Sequence, residues 1–212
     1  MVTSERSDLS EMYHHIYNRG AHKTPIFQDG SDYWRMLKLL YIANNTESFV
    51  LDSFGNKDIF VQQKSGILVD IFAYCLMPNH IHIYLREVRP LGISKFIQKL
   101  SSGYGGYYNR KYDHSGTIWQ GGYKQKPAFD EQYQRVLIDY IHLNPYGIIT
   151  PDMTKEARSE HRDDAIAYSI KYEFSSLKDY LCGPRQQTPI LFRGFREVRP
   201  LGESLQSPPP IP

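Results

Sequence analysis

Residues Cys75 to Leu85 read C-L-M-P-N-H-I-H-I-Y-L, and the alternation in the second half of this stretch decides the fold. From His80 onward a period of two sends Ile81, Ile83 and Leu85 to one face of a strand and His80, His82 and Tyr84 to the other. Such a strand can bury one face and offer the other for chemistry. Met77-Pro78-Asn79 is turn material, and the residues before it, Ile67 to Leu76, form a long apolar run rich in β-formers. Two strands joined by so short a turn pair antiparallel.

Working outward, Tyr13 to Asn18 (Y-H-H-I-Y-N) predicts a first strand closed by Arg19-Gly20, and Asp29-Gly30-Ser31 opens a helix carrying Trp34, Leu37, Leu40 and Tyr41. After Pro90, Ile93, Phe96, Ile97, Leu100, Tyr104 and Tyr107 follow helical spacing, although Gly103, Gly105 and Gly106 weaken that helix. Thr117 to Phe129 reads as extended, with a break at Gly121-Gly122. The order through residue 127 is β-α-β-β-α-β, which predicts an α+β, ferredoxin-like unit: an antiparallel sheet with two helices on one face. Asp130 then caps an added helix bearing Tyr133, Val136, Leu137, Tyr140 and Ile141, stopped by Pro145. Phe49-Val50-Leu51 and Ile59-Phe60-Val61 predict a hairpin insert. The division that results is an extension at 1–11, a main domain at 12–150, a helical extension at 151–183 and a disordered tail at 184–212. The heptapeptide R-E-V-R-P-L-G occurs at 86–92 and again at 196–202, too short a match to be a structural repeat.

The 212 residues carry 25 Lys+Arg against 23 Asp+Glu, a formal net charge of +2, with 41% hydrophobic and 14% aromatic residues. That composition excludes a wholly disordered chain. Two cysteines, Cys75 and Cys182, support neither a disulfide framework nor a cysteine-based zinc site, and point to a reducing compartment. No stretch is long and apolar enough to span a membrane, and M-V-T-S-E-R-S-D-L-S-E-M lacks the parts of a signal peptide, so a cytoplasmic protein is expected. The charge is uneven. Arg86 to Lys126 holds eight basic residues and two acidic ones, a net of +6, which leaves −4 for the rest. Cations interleaved with rings suit single-stranded nucleic acid, and Arg110, Lys111, Trp119, Tyr123, Lys124 and Lys126 are the candidate contacts. A solvated helix face with core aromatics is the plainer reading of the same residues.

Side by side, His80 and His82 can converge on one cation or one anionic group. A third donor must come from elsewhere. Tyr140 and Asn144, four apart on the added helix, share a face. If that helix lies across the imidazole face, Tyr140 supplies a hydroxyl nucleophile and Asn144 an oxygen ligand. Otherwise Tyr140 is a core aromatic, Asn144 punctuates a turn before Pro145, and the histidines sit on an exposed strand without a task. The first arrangement specifies a chemistry: a divalent ion polarises a phosphodiester, and the phenol, a poor nucleophile at its free pKa, attacks to give a phosphotyrosine. Neutral imidazole and amide ligands suit Mg²⁺ or Mn²⁺ better than a closed zinc site. His14, His15 and His22 read as surface or strand-packing residues.

C-L-M-P-N-H-I-H-I-Y-L (Cys75 to Leu85), S-G-T-I-W-Q-G-G-Y-K (Ser115 to Lys124) and D-Y-I-H-L-N-P (Asp139 to Pro145), together with Y-H-H-I-Y-N-R-G near the start and F-S-S-L-K-D-Y (Phe174 to Tyr180), resemble the single-tyrosine transposases of the His-hydrophobic-His (HUH) nuclease superfamily, most closely the REP-associated branch. The resemblance covers Tyr13 to Tyr180. It implies that the 12–150 domain is catalytic, that His80 and His82 hold a metal completed by Asn144, and that Tyr140 forms a covalent 5′-phosphotyrosine with single-stranded DNA. It also implies hairpin DNA from palindromic repeats as partner, a homodimer, and action at the nucleoid, with no nucleotide cofactor. One departure concerns DNA affinity: relatives commonly carry Q-G-R where this chain has Gln120-Gly121-Gly122, and an arginine that could contact phosphate is missing. A catalytically silent hairpin-binding protein on the same scaffold is the alternative. A water-using metal hydrolase lacks an evident general-base motif.

Overall fold

The computed structural model describes residues 12–55 and 57–195. The extension expected at 1–11 and the second R-E-V-R-P-L-G lie outside them. The elements that carry the fold are β1 (Tyr13–Arg19), α1 (Gly30–Ile42), β2 (Val69–Met77), β3 (His80–Glu87), α2 (Gly92–Lys111), β4 (Lys124–Ala128) and α3 (Glu131–Leu143), followed by α4 (Lys155–Glu160), α5 (Arg162–Ser169) and α6 (Leu177–Leu181). The four strands are antiparallel in the order β2-β3-β1-β4. With helices between β1 and β2 and between β3 and β4, this is the ferredoxin-like arrangement. No helix among the described residues is long and apolar enough to cross a membrane.

Ile81, Ile83 and Leu85 are buried on one face of β3, against which α2 packs, with α1 packed on α2. Asp29 starts α1 by accepting from the backbone of Ser31 and Asp32, while Asp32 returns the bond to the Asp29 backbone. The glycines of α2 do not break it, because Ile93, Phe96, Ile97, Leu100 and Tyr104 are all buried along one stripe. Gly103 has a positive use: a Cβ there would stand 2.9 Å from a Leu39 methyl, so the missing side chain lets α1 close onto α2.

The insert corrects one expectation. The described residues of 49–61 form no hairpin; they make two short 3-10 turns, Leu51–Phe54 and Ile59–Val61. Local groups take over the polar backbone: Asp58 accepts from the Phe60 N–H, the Ser53 N–H donates to the Val50 carbonyl, and the Gln62 N–H donates to the Ile59 carbonyl. Leu51, Ile59 and Phe60 are buried without a partner strand.

The tail corrects another, because residues 184–195 are packed. Ile190, Leu191 and Phe195 join the same hydrophobic cluster as the sheet. Phe174 and Ser176 bond to the outer edge of β2 through Leu76 and Tyr74, and Phe192 donates to the Ile71 carbonyl at 2.7 Å. Arg185 clamps this segment, 2.5 Å from the fully buried Asp179 and donating to the carbonyls of Glu173 and Ser175. Composition hid this, since the proline-rich end at 207–212 dominates the reading of the last thirty residues. The Ser176 hydroxyl accepts from the Tyr74 N–H at 2.9 Å and meets His142 Nε2 of α3 at 2.8 Å, tying α3 to β2.

Two outcomes follow. Arg185→Met strands a buried carboxylate and is expected to lower unfolding stability by about 3 kcal/mol in urea titration; an unchanged midpoint would mean that this segment is not part of the core. Burial pushes the His142 pKa from 6.5 down to about 3, with Arg185 adding to the effect. The unfolded chain therefore binds the proton first, and stability should fall as pH drops from 6.5 toward 3. His142→Gln should flatten that part of the urea-midpoint profile, and an equally steep profile would assign the loss to other groups.

Candidate functional site

The second face of β3 carries His80 and His82, and α3 lies against it, touching β2 and β3. Their rings stand 4.8 Å apart and nearly perpendicular, and the Tyr140 ring meets His82 edge-on at 5.4 Å. Asn144, one turn past Tyr140 on the same helix, acts on the titration of both side chains against the effect of burial, lowering the Tyr140 pKa and raising that of His80. Asn144 keeps helical dihedrals (φ −53, ψ −37) although a proline follows, a position normally pushed out of the α region. Pro145 then opens a short 3-10 turn, where its missing N–H is not needed. The sequence thus holds Asn144 on the face of Tyr140 past the nominal end of the helix.

Burial pulls His80 down to about 4, assisted by the charge of Arg19 and opposed by the nearby Asn144 amide, so the ring is neutral at physiological pH. Burial also raises the Tyr140 pKa, while the nearby Asn144 amide acts against that. The phenol is therefore protonated at rest and needs help to act as a nucleophile. Two imidazoles and an amide form a donor set for an open cation site that leaves positions for oxygen ligands. Among the described residues no three His, Cys, Asp or Glu side chains gather as a metal cluster, which does not suit a closed structural zinc site.

His15 joins the site although the sequence reading set it aside. Its Nε2 lies 2.9 Å from His82 Nδ1, and its ring centroid lies 6.2 Å from that of Tyr140. Alternation along β1 puts His15 and Tyr17 on one face, but only the register, with Tyr17 opposite His82 and His15 opposite Tyr84, makes them neighbours of the imidazole pair. His14 points to the other face, where Gln125 donates to its Nδ1.

The six candidate nucleic-acid contacts do not come together. Lys124 pairs with Tyr17 and Lys126 with His15 across β1 and β4, which sets both lysines on the imidazole face. Arg110 and Lys111 lie at the end of α2 in the helical layer. Arg110 meets Asp52, and Lys111 meets Asp29 and the fully buried Asp32 at 2.8 and 2.7 Å. Trp119 is buried beside Tyr104, and the Tyr123 hydroxyl pairs with Ser94 at the start of α2. Gly122 is exposed, with nothing within 4 Å of where its Cβ would be, so the absence of an arginine there is not imposed by packing.

The family model described as "Transposase IS200 like" matches residues 9–144, from just before β1 through Asn144. The chain belongs to the IS200-like transposase family. No curated protein matches it. A solved structure of a REP-associated tyrosine transposase bound to a REP hairpin is similar at 14% identity and a TM-score of 0.49, over 93% of this chain and 94% of that one. For this transposase the placement of its lysines has a measurable consequence. Lys124→Ala with Lys126→Ala should make the dependence of DNA affinity on salt shallower by about one to two units of log slope. Lys111→Met should leave that slope unchanged and lower stability by about 3 kcal/mol, because it strands Asp32. The converse pattern, read by fluorescence anisotropy and urea titration, would move the DNA path to the helical layer.

Proposed function

We propose that this transposase cleaves and rejoins single-stranded DNA, folded as hairpins of imperfect palindromes, through a 5′-phosphotyrosine at Tyr140. The observation that carries the reading is the Tyr140 ring meeting His82 edge-on at 5.4 Å, with His80 4.8 Å from His82 and Asn144 one turn past Tyr140. Substrate enters along the imidazole face, its phosphates drawn by Lys124 and Lys126. Tyr140 Oη attacks phosphorus, the bond from phosphorus to the 3′ oxygen breaks, and the 3′ hydroxyl departs with a proton while the 5′ phosphate stays on the tyrosine. A 3′ hydroxyl from another strand reverses the step and releases Tyr140. His80, His82 and Asn144 would hold Mg²⁺ or Mn²⁺, which supplies Lewis-acid polarisation of the phosphate when bound. The buried position of the rings limits competition from water.

Because Tyr140 meets the imidazoles within one chain, one subunit carries a whole site, and a homodimer brings two such sites to the two ends of a mobile segment. The protein acts in the cytoplasm on nucleoid DNA and falls in the REP-associated branch. The test incubates the protein and Mn²⁺ with single-stranded oligonucleotides that carry the palindromes flanking its gene. A covalent adduct stable in denaturing gels is expected from the native protein and at least a thousandfold less, on the order of the loss of a nucleophile, from Tyr140→Phe. Equal adduct from Tyr140→Phe would remove Tyr140 from the role, and hairpin binding without adduct under any metal would leave a silent binding protein.

A further inference from the structure

The second nitrogens of the two imidazoles are engaged by groups that the sequence reading did not assign to the site. Asn79 sits in the turn between β2 and β3, and its Nδ2 donates to the Lys23 carbonyl at 3.0 Å. A carbonyl oxygen only accepts, so the atom that Asn79 turns to His80 Nδ1, at 2.6 Å, is its own amide oxygen. That oxygen only accepts too, so His80 Nδ1 bears the hydrogen. The basic nitrogen of His80 is then Nε2, the one left for the site.

The surroundings fix Asn79 in this orientation. Residues 20–26 wrap the turn: Gly20 N–H donates to the Asn79 carbonyl and Ile26 N–H to the Pro78 carbonyl, each at 2.8 Å. His22 and Lys23 both take left-handed backbone (φ 53 and 62), a strained pair that aims the Lys23 carbonyl at Asn79. Gly20 is required by the wrap, since a Cβ there would stand 2.3 Å from the Thr24 carbonyl oxygen. On the other ring, His82 Nδ1 meets His15 Nε2 at 2.9 Å. A cation taken by His82 must bind Nε2, which requires the hydrogen on Nδ1 and makes His15 the acceptor.

We propose that Asn79 and His15 are positioning residues which hold His80 and His82 in the Nδ1–H tautomer, so that both Nε2 atoms serve one cation. The assignment rests on the metal-site reading above, but its first readout needs neither metal nor DNA. Long-range ¹H–¹⁵N correlation spectra of histidine-labelled native protein at neutral pH should report Nδ1–H at both rings, assigned with His80→Gln and His82→Gln. Asn79→Ala should give mixed tautomers at His80, whereas Asn79→Asp, which still accepts the same hydrogen, should retain Nδ1–H. His15→Phe and His15→Gln should form the same contrast at His82. Mn²⁺ affinity of DNA-free protein, read by EPR titration, should fall about 10- to 100-fold in Asn79→Ala and recover in Asn79→Asp.

Circular dichroism and thermal midpoints identify any variant that fails to fold, and the Asp and Gln variants then decide. An Nε2–H tautomer at His80 in the native protein, or tautomers indifferent to Asn79, overturns the proposal. Nδ1–H tautomers that follow Asn79 and His15 in a protein forming no DNA adduct would uphold the positioning roles while strand transfer fails. An adduct with tautomers that ignore Asn79 would do the reverse.

Discussion

The edge-on contact of the Tyr140 ring with His82 joins two elements of different period, α3 and β3, and it depends on how the helix is set over the sheet. β3 turns its imidazoles to one face because side chains alternate every residue. α3 presents Tyr140 and Asn144 together because they are one turn apart. Neither pattern sets the rotation of the helix over the sheet. That is done from α3's far side. His142, about 200° around the helix from Tyr140, reaches the Ser176 hydroxyl, which also accepts from Tyr74 of β2. Ser176 is held in turn by a segment clamped by Arg185 and Asp179. The C-terminal extension is therefore a brace for α3, and its polar contacts run to the residue midway between the proposed nucleophile and the proposed ligand.

Charge behaves differently from hydrophobic pattern. The +6 stretch from Arg86 to Lys126 is contiguous in sequence and divided in space. Part of it neutralises carboxylates that arrive from afar: Asp29 and Asp32 at the start of α1 for Lys111, and Asp52 of the insert for Arg110. Asp32 is fully buried, so the Lys111 ammonium is a structural counter-ion. Lys124 and Lys126 share the imidazole face because β4 pairs with β1 in a register that brings them there. A charge sum along the chain signals an anionic partner but not the path the partner takes.

Much of the fold was legible because it rests on periodicity and turn chemistry. The H-I-H-I-Y-L alternation, the M-P-N turn, the Asp29 cap and the stripe of α2 gave the β-α-β-β-α-β order, and the i, i+4 spacing of Tyr140 and Asn144 gave half of the site. What stayed hidden depends on partners distant in sequence. His15 becomes a site residue only through the β1–β3 register. Arg185 looks like one more surface cation until Asp179 is brought beneath it. Residues 49–61 have β-forming side chains, but their backbone groups close short i to i+3 turns, Ser53 onto Val50 and Gln62 onto Ile59, instead of pairing as strands.

The central claim is that His80, His82 and Asn144 surround one cation next to Tyr140. Pulsed EPR of Mn²⁺ added to DNA-free Tyr140→Phe protein tests it most directly, since the electron spin reports the nitrogens bound to the ion. The account predicts couplings from two imidazoles, one lost in His80→Ala and the other in His82→Ala. A Mn²⁺ spectrum without imidazole coupling, or with couplings that survive both substitutions, would contradict it.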